Sequence, residues 1–262
     1  MLKYILAIII FGVIIFIHEF GHFFVAKLCG IKVNKFALGM GPKILKKQIG
    51  ETEYSLRLFP VGGFCAMEGE DQESENSRAF GNKPVWKRMF VIVAGAFMNI
   101  LLGFVLIVIL TCMRSAVPST IVGGFSTQSE TSEIITAQSY ECGLREGDEI
   151  IKMDGMRIFT PSDLSYQLYS DDDGKFDIVV KRDGKKITLN DVIFHDSATD
   201  SVVDFQIKGL NKNPLNVLAF SGKDTVSTAR MIWISLVDLV TGKYGFNDLS
   251  GPVGLVGAIG DA

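Results

Sequence analysis

The feature that most restricts this chain is a polar motif set inside an apolar run. Ile17-His18-Glu19-Phe20-Gly21-His22 lies toward the inner end of a nearly unbroken hydrophobic stretch that begins at Tyr4. On a helix, His18 and His22 are four residues apart and project the same way, one turn above the other. Two of their ring nitrogens can then share a zinc ion, and Glu19 can act on a water activated there. The motif usually sits on a helix in water. Here the run extends to about Leu28, and residues 4–28 exceed the roughly 20 residues that a bilayer crossing requires. A charged group near the bilayer centre costs roughly 2.5–3.5 kcal/mol on insertion scales, so ionisable residues in such a helix point to function. The plain alternative is a pair of hydrogen-bonded packing histidines.

The whole composition agrees with a few spans joined to a water-soluble part. Of 262 residues, 48% are hydrophobic, which is high for a soluble domain yet leaves long polar stretches. Cys29, Cys65, Cys112 and Cys142 are scattered without Cys-x-x-Cys spacing, so neither a disulfide framework nor a thiolate zinc site is expected. They read as buried small hydrophobes. Lys3 before an apolar core has the layout of a secretory signal, but no small-x-small cleavage site follows. Residues 1–30 are therefore expected to form an uncleaved first transmembrane helix carrying the zinc motif.

Lys27, Lys32, Lys35, Lys43, Lys46 and Lys47 follow this helix, with no acidic residue before Glu51. By the positive-inside rule that loop is cytoplasmic and the N-terminus lies outside. Residues 53–66 alternate as a strand does, interrupted by Pro60 and the pair Gly62-Gly63. Residues 31–84 are expected to be a β-hairpin region, partly re-entrant in the membrane, and non-helical backbone at that depth must lie against protein or a water-filled cavity. A strand edge there, at Gly62, Gly63 and Phe64, can bind an extended substrate by strand addition; an ordinary cytoplasmic hairpin is the alternative. Residues 68–78 are acidic and serine-rich, as an exposed loop would be.

Residues 85–114 hold the second expected transmembrane helix, with Lys83, Lys87 and Arg88 at its start. Gly95, Asn99 and Gly103 recur every four residues and form one narrow stripe of small and polar side chains. Small residues let membrane helices approach closely. Asn99 either packs in that contact or orients substrate backbone near the metal.

Residues 118–205 change character. Residues 117–205 contain 17 Asp and Glu against 8 Lys and Arg, and strand-like pieces alternate with the turn pairs Asp154-Gly155 and Asp183-Gly184. A soluble α+β domain is expected, outside the cytoplasm after two spans. His195 follows its last strand and reads as a surface residue. In residues 206–262, Asn211–Phe220 can lie at the interface. Residues 225–242 suggest a third span, and a polar cavity would explain its Arg230 and Asp238. Beyond it, Asp248–Gly257 is broken by glycine and proline.

Gly143-Leu144-Arg145-Glu146-Gly147-Asp148-Glu149-Ile150, followed by Asp154-Gly155, resembles PDZ domains of the circularly permuted bacterial kind. That resemblance implies a groove that accepts an extended peptide end. Together with His18-Glu19-Phe20-Gly21-His22, Ala94-Gly95-Ala96-Phe97-Met98-Asn99 and Leu249-Ser250-Gly251-Pro252-Val253-Gly254, it makes nearly the whole chain resemble the site-2 proteases, membrane-embedded zinc endopeptidases of regulated intramembrane proteolysis. The resemblance implies a polytopic α-helical membrane protein of the bacterial plasma (inner) membrane. An α+β PDZ-like domain is inserted on its extracytoplasmic side, and a β-hairpin region is membrane-associated. It implies zinc on His18 and His22, Glu19 as general base, and transmembrane protein substrates such as anti-sigma factors or signal-peptide remnants, with no nucleic acid partner. Ala96 stands where the family often has proline. The family's third zinc ligand, an aspartate in a later Leu-Asp-Gly motif, has no counterpart before Ala262, and neither Asp248 nor Asp261 matches it. An inactive membrane scaffold that binds peptides through its PDZ-like domain is therefore the alternative function. A metal transporter would leave Glu19 and the inserted domain unexplained.

Overall fold

The structure is a computed structural model and describes residues 2–125, 137–170, 173–194 and 203–241. His195 and the Asp248–Gly257 stretch lie outside the described residues. The chain divides within its second long helix into two compact units, one running to Gly103 and the other starting at Phe104.

In the first unit, α1 (Leu2–Leu28) is one continuous helix. It stops where Gly30 takes a left-handed conformation (φ 70°), with Gly30 N–H donating to Lys27 O and Ile31 N–H to Ala26 O. This double bond is the usual glycine-terminated end of a helix. The chain then forms β1 (Val33–Ile49) and β2 (Thr52–Met67), two long antiparallel strands that each bend. The bends let the first part of β1 pair on both sides: Phe36 lies opposite both Cys65 and Tyr54, and Leu38 opposite both Gly63 and Leu56. The result is four strand segments in the order 45–49, 52–56, 33–38, 63–67. Among the described residues no strand pairs with the outer edge of the last one. Gly39, with φ 86° and no room for a Cβ beside the Phe59 carbonyl, makes the first bend possible.

This sheet packs on α1. Phe23 lies 5.1 Å from Phe36 between ring centroids and 5.9 Å from Tyr54, and Phe16 lies 6.0 Å from Phe36. The buried core joins Phe23, Phe36 and Tyr54 to Ala26, Ile31, Val33, Cys65 and Val91. Cys29 and Cys65 are buried as expected, but Cys112 is exposed. It lies one residue from the end of α2 (Val85–Met113), where few neighbours remain to cover it. Among the described residues, α1 and α2 are the two helices long and apolar enough to cross a membrane. Only 11% of the apolar window of each is buried, whereas the core helix of a soluble protein would be mostly covered. With the sheet-rich remainder, this is the pattern of a membrane protein carrying a soluble domain.

The second unit holds β3 (Val122–Phe125), α3 (Gln138–Glu141), β4 (Glu149–Met153), β5 (Met156–Arg157), α4 (Pro161–Ser170), β6 (Phe176–Arg182), β7 (Lys185–Val192) and β8 (Phe205–Ile207). Strands β5-β4-β6-β7 form one antiparallel sheet, and β3 pairs with β8. Both sequence-expected turns are tight hairpins with positive φ at each central residue: Asp154 (47°) and Gly155 (77°), Asp183 (49°) and Gly184 (79°). That is the turn whose twist matches the strands it joins. Leu144, Ile150, Met153, Ile178, Val180 and Val192 are fully buried between the layers, each side chain contributing roughly 1.5–3 kcal/mol. Asp148, also fully buried, is neutralised by Arg182 through Nε at 2.7 Å and Nη2 at 2.7 Å. Arg182 also donates to Gly143 O at 2.8 Å, so the Gly-Leu-x-x-Gly-Asp string is held by one guanidinium.

The last helix, α5 (Pro214–Val240), is capped by Asn213, whose side chain accepts from Asn216 N–H at 2.7 Å. It differs from the expected third span. Arg230 and Asp238 do not face a polar cavity in a helix bundle: Arg230 Nη2 donates to buried Asp163 on α4 at 2.6 Å, and Tyr166 OH donates to Asp238 at 3.2 Å. Ser227 also donates to Asp163, whose other oxygen caps α4 by accepting from Phe159 N–H and Thr160 N–H. A helix that carries these charges has a partner for them in the soluble domain.

Two carboxylates tie the connections of the first unit. Glu51, in the turn between β1 and β2, is held down to about 2 by hydrogen bonds from Arg78 and Lys27. Glu68 is held down to about 2 by Asn34, then Lys32 and Ser74. Each is ordinarily near 4.5, so the folded form binds protons more weakly than the unfolded one. The stability that these contacts add is complete above pH 4.5 and is lost as pH falls toward 2. Hydrogen exchange of residues 31–82 should therefore accelerate across that window, and Glu51→Gln should remove part of the pH dependence.

Candidate metal centre

Helices α1 and α2 meet where each lacks a side chain. A Cβ on Gly21 would lie 2.8 Å from Met98 Cγ and 2.9 Å from the Ala94 carbonyl carbon, closer than real Cβ atoms come. A Cβ on Gly95 would lie 2.7 Å from His18 Nε2 and collide with His22 Nε2. The two glycines bring the backbones together, and the second leaves open the space into which both imidazoles point.

His18 Nε2 and His22 Nε2 are 3.2 Å apart. Two ligands held about 2.0–2.1 Å from one zinc ion at a near-tetrahedral angle are separated by roughly 3.3 Å, so the pair has the right spacing. His22 Nδ1 is 2.7 Å from Val91 O. A carbonyl only accepts, so His22 carries its proton on Nδ1 and presents a lone pair at Nε2. His18 Nδ1 faces the Asn99 side-chain amide at 3.4 Å. Residues 91, 95 and 99 follow one another at single-turn spacing on α2, opposite residues 22 and 18 of the antiparallel α1. One stripe of α2 thus contacts both histidines.

The hairpin region reaches the same place. β2 runs beside the middle of α1: a Cβ on Gly12 would lie 3.8 Å from Pro60 O, and one on Gly63 would lie 3.5 Å from Ile15 Cγ2 and 3.1 Å from Glu19 Cγ. Glu19 therefore lies against the strand segment whose outer edge has no partner strand among the described residues. Of the four residues expected to bind substrate, Gly63 touches Glu19 and Asn99 touches His18. Gly62 (φ 83°) turns toward Met40, and Phe64 lies beneath the Arg57 guanidinium at 4.8 Å. Gly103 has nothing within 4 Å of its Cβ position, so the stripe of small residues stops contributing at Asn99. Two participants were not foreseen from sequence. The Val91 carbonyl is backbone and has no residue-type signal, and a glycine such as Gly21 is too common in membrane helices to mark a contact by itself.

The residues present fit a zinc ion as two of its ligands, on the nitrogen spacing, the His22 tautomer and the open cradle at Gly95. Among the described residues, no group of three or more His, Cys, Asp or Glu side chains could hold a metal. Replacing Gly95 by Ala should favour the helix slightly yet drive the imidazoles apart. Zinc content should fall about tenfold or more, by analogy with losses from disturbed ligand orientation, while circular dichroism keeps its helical signal.

The comparisons agree on one family. The model of Peptidase family M50 matches residues 6–262. A protein of Clostridium acetobutylicum named "Putative zinc metalloprotease" is 34% identical over 261 residues, covering 98% of this chain and 74% of that protein. A protein of the same description from Clostridium perfringens is 34% identical over 260 residues, covering 98% and 75%. "Regulator of sigma-W protease RasP" of Bacillus subtilis is 28% identical over 339 residues, covering 95% and 77%. The match spans both apolar helices, the sheet between them and the soluble domain, and on it this chain belongs to Peptidase family M50, the zinc-dependent site-2 proteases.

Proposed function

We propose that this chain acts as a membrane-embedded endopeptidase that cleaves transmembrane segments of other membrane proteins. The observation that carries the reading is the meeting of three things on one membrane-length helix. Two imidazole nitrogens converge at 3.2 Å, a carboxylate stands between them in sequence, and an open strand edge passes that carboxylate at Gly63. His18 and His22 are its metal ligands, Glu19 its general base, and Gly62, Gly63, Phe64 and Asn99 its substrate contacts. A catalytic site of this type takes three protein ligands. In the site-2 proteases that the chain resembles, the third is an aspartate of a Leu-Asp-Gly motif.

Zinc, when bound, supplies Lewis acidity toward a peptide carbonyl and makes water a stronger acid. The Glu19 carboxylate takes a proton from the attacking water, whose oxygen bonds to the carbonyl carbon. The C–N bond then breaks as Glu19 passes the proton to the leaving amine, so base and acid are one group. A helical substrate hides its carbonyls in internal hydrogen bonds and must unwind first. The edge at residues 61–65 offers replacement backbone bonds to the unwound piece. Lys27 at the end of α1 and the five lysines from Lys32 to Lys47 support a reading in which the β region faces the cytoplasm of a bacterial cell and the N-terminus and soluble domain lie outside.

The soluble domain is read as a PDZ-like gate. A cavity of about 280 Å³ between α4 and β8 is walled by Leu164, Leu168, Phe194, Phe205 and Ile207, the apolar strand–helix groove that peptide ends use. Anti-sigma factors and signal-peptide remnants, which lack bulky outer domains once trimmed, are the substrate class that such a gate admits.

In the full gene product, Glu19→Gln should lower cleavage of a transmembrane substrate in proteoliposomes by roughly 10²–10⁴-fold. A variant that cleaves at the wild-type rate would exclude Glu19 as the base. Deleting residues 118–205 should extend cleavage in cells to substrates that keep their outer domains; an unchanged need for prior trimming would refute the gate.

A further inference from the structure

The hydrogen bonds of the two histidines are unequal, and the difference assigns a role to Asn99. His22 is complete: its Nδ1–H donates to the Val91 carbonyl, leaving Nε2 as an acceptor. For His18 to ligate through Nε2, its proton must likewise sit on Nδ1 and needs an acceptor there. The group that meets His18 Nδ1 is the Asn99 amide, 3.4 Å away through Nδ2. In that orientation an N–H donates to Nδ1, which forces the His18 proton onto Nε2, where it donates to His22 Nε2 at 3.2 Å and leaves neither nitrogen free for a metal. Meanwhile Asn99 Oδ1 is buried without a hydrogen-bond partner.

A half-turn of the amide about Cβ–Cγ frees both ring nitrogens. The oxygen and nitrogen are nearly the same size, so the rotation exchanges them with little steric change. Oδ1 then accepts from His18 Nδ1–H, the amide NH2 takes the buried position that the oxygen held, and both Nε2 lone pairs face the space that Gly95 leaves open. We propose that Asn99 is a positioning residue: its amide oxygen fixes the His18 tautomer, as the Val91 carbonyl fixes that of His22, so one stripe of α2 prepares both ligands. This rests on the reading of His18 and His22 as ligands and gives Asn99 a role through His18, before any substrate arrives.

The proposal distinguishes acceptor from donor, and so do two near-isosteric variants. Asn99→Asp keeps only acceptors at this position; Asn99→Leu keeps the volume and neither function. Purified full-length chains in lipid nanodiscs would be titrated with Zn²⁺ against a chromophoric chelator, and the Co²⁺ d–d spectrum and metal-free thermal unfolding recorded alongside. Asn99→Leu should bind Zn²⁺ roughly 10–100-fold more weakly than wild type, while Asn99→Asp should bind within a few-fold of wild type and keep the Co²⁺ spectrum. A packing role predicts a different result, in which affinity follows metal-free stability rather than the acceptor. Wild-type affinity in Asn99→Leu, or an Asn99→Asp loss as large as that of Asn99→Leu, overturns the assignment. If the wild-type chain itself takes up no Zn²⁺, the ligand reading of His18 and His22 fails with it, which is a separate outcome from failure at Asn99 alone.

Discussion

Everything at the centre of this protein depends on how closely α1 and α2 approach. In an apolar layer, imidazole and carboxylate groups find no water, and an unpaired polar atom costs several kcal/mol. Their partners must come from the neighbouring helix, within hydrogen-bond reach of its axis. Gly21 and Gly95 make that reach possible, because a single methyl group at either would strike backbone or a ring nitrogen. The contact that satisfies the histidines is the same one that aims them.

The hairpin region extends this logic to the third functional group. β2 follows α1 from Gly12 to Glu19, and the bends at Gly39 in β1 and Gly62 in β2 divide each strand, so the central segment pairs along both of its edges. Of the two outer segments, which keep an open edge among the described residues, the one at 63–67 lies against Glu19 through Gly63. In the second unit, buried charge is handled differently. Asp148 and Asp163 are both fully buried, and each is matched to an arginine and to backbone N–H groups. Such pairs add little net stability, but removing one partner costs about 3–5 kcal/mol. They therefore specify arrangement: Asp148 the loop that precedes β4, and Asp163 the docking of α5 on α4.

Much of this was legible in order along the chain. The two apolar runs became helices close to their expected bounds, and Asp154-Gly155 and Asp183-Gly184 became hairpin turns. The Gly-Leu-x-x-Gly-Asp string became a loop anchored by buried Leu144 and Asp148. These are short-range features, governed by periodicity, hydropathy and φ preferences that single residues carry. The role of α5 was not legible. Arg230 and Asp238 read as anomalies in an apolar segment because their partners, Asp163 and Tyr166, lie some 70 residues away in sequence.

The sequence by itself determined which chemistry was available: two histidines one turn apart, a glutamate between them, and an apolar setting that makes all three costly to keep without a use. It also determined the stripe of Gly95 and Asn99, since four-residue spacing on a helix needs no tertiary knowledge. Only the tertiary structure decided what that stripe faces. It set the Val91 carbonyl and the Asn99 amide on the outer nitrogens of the two rings, and the backbone of Gly63 beside Glu19. Those pairings join residues up to 81 positions apart, and one of the partners is a main-chain carbonyl that every residue type possesses. Local patterns encode which groups a helix presents; which groups meet across a helix contact depends on packing, where the lack of a side chain counts as much as its presence.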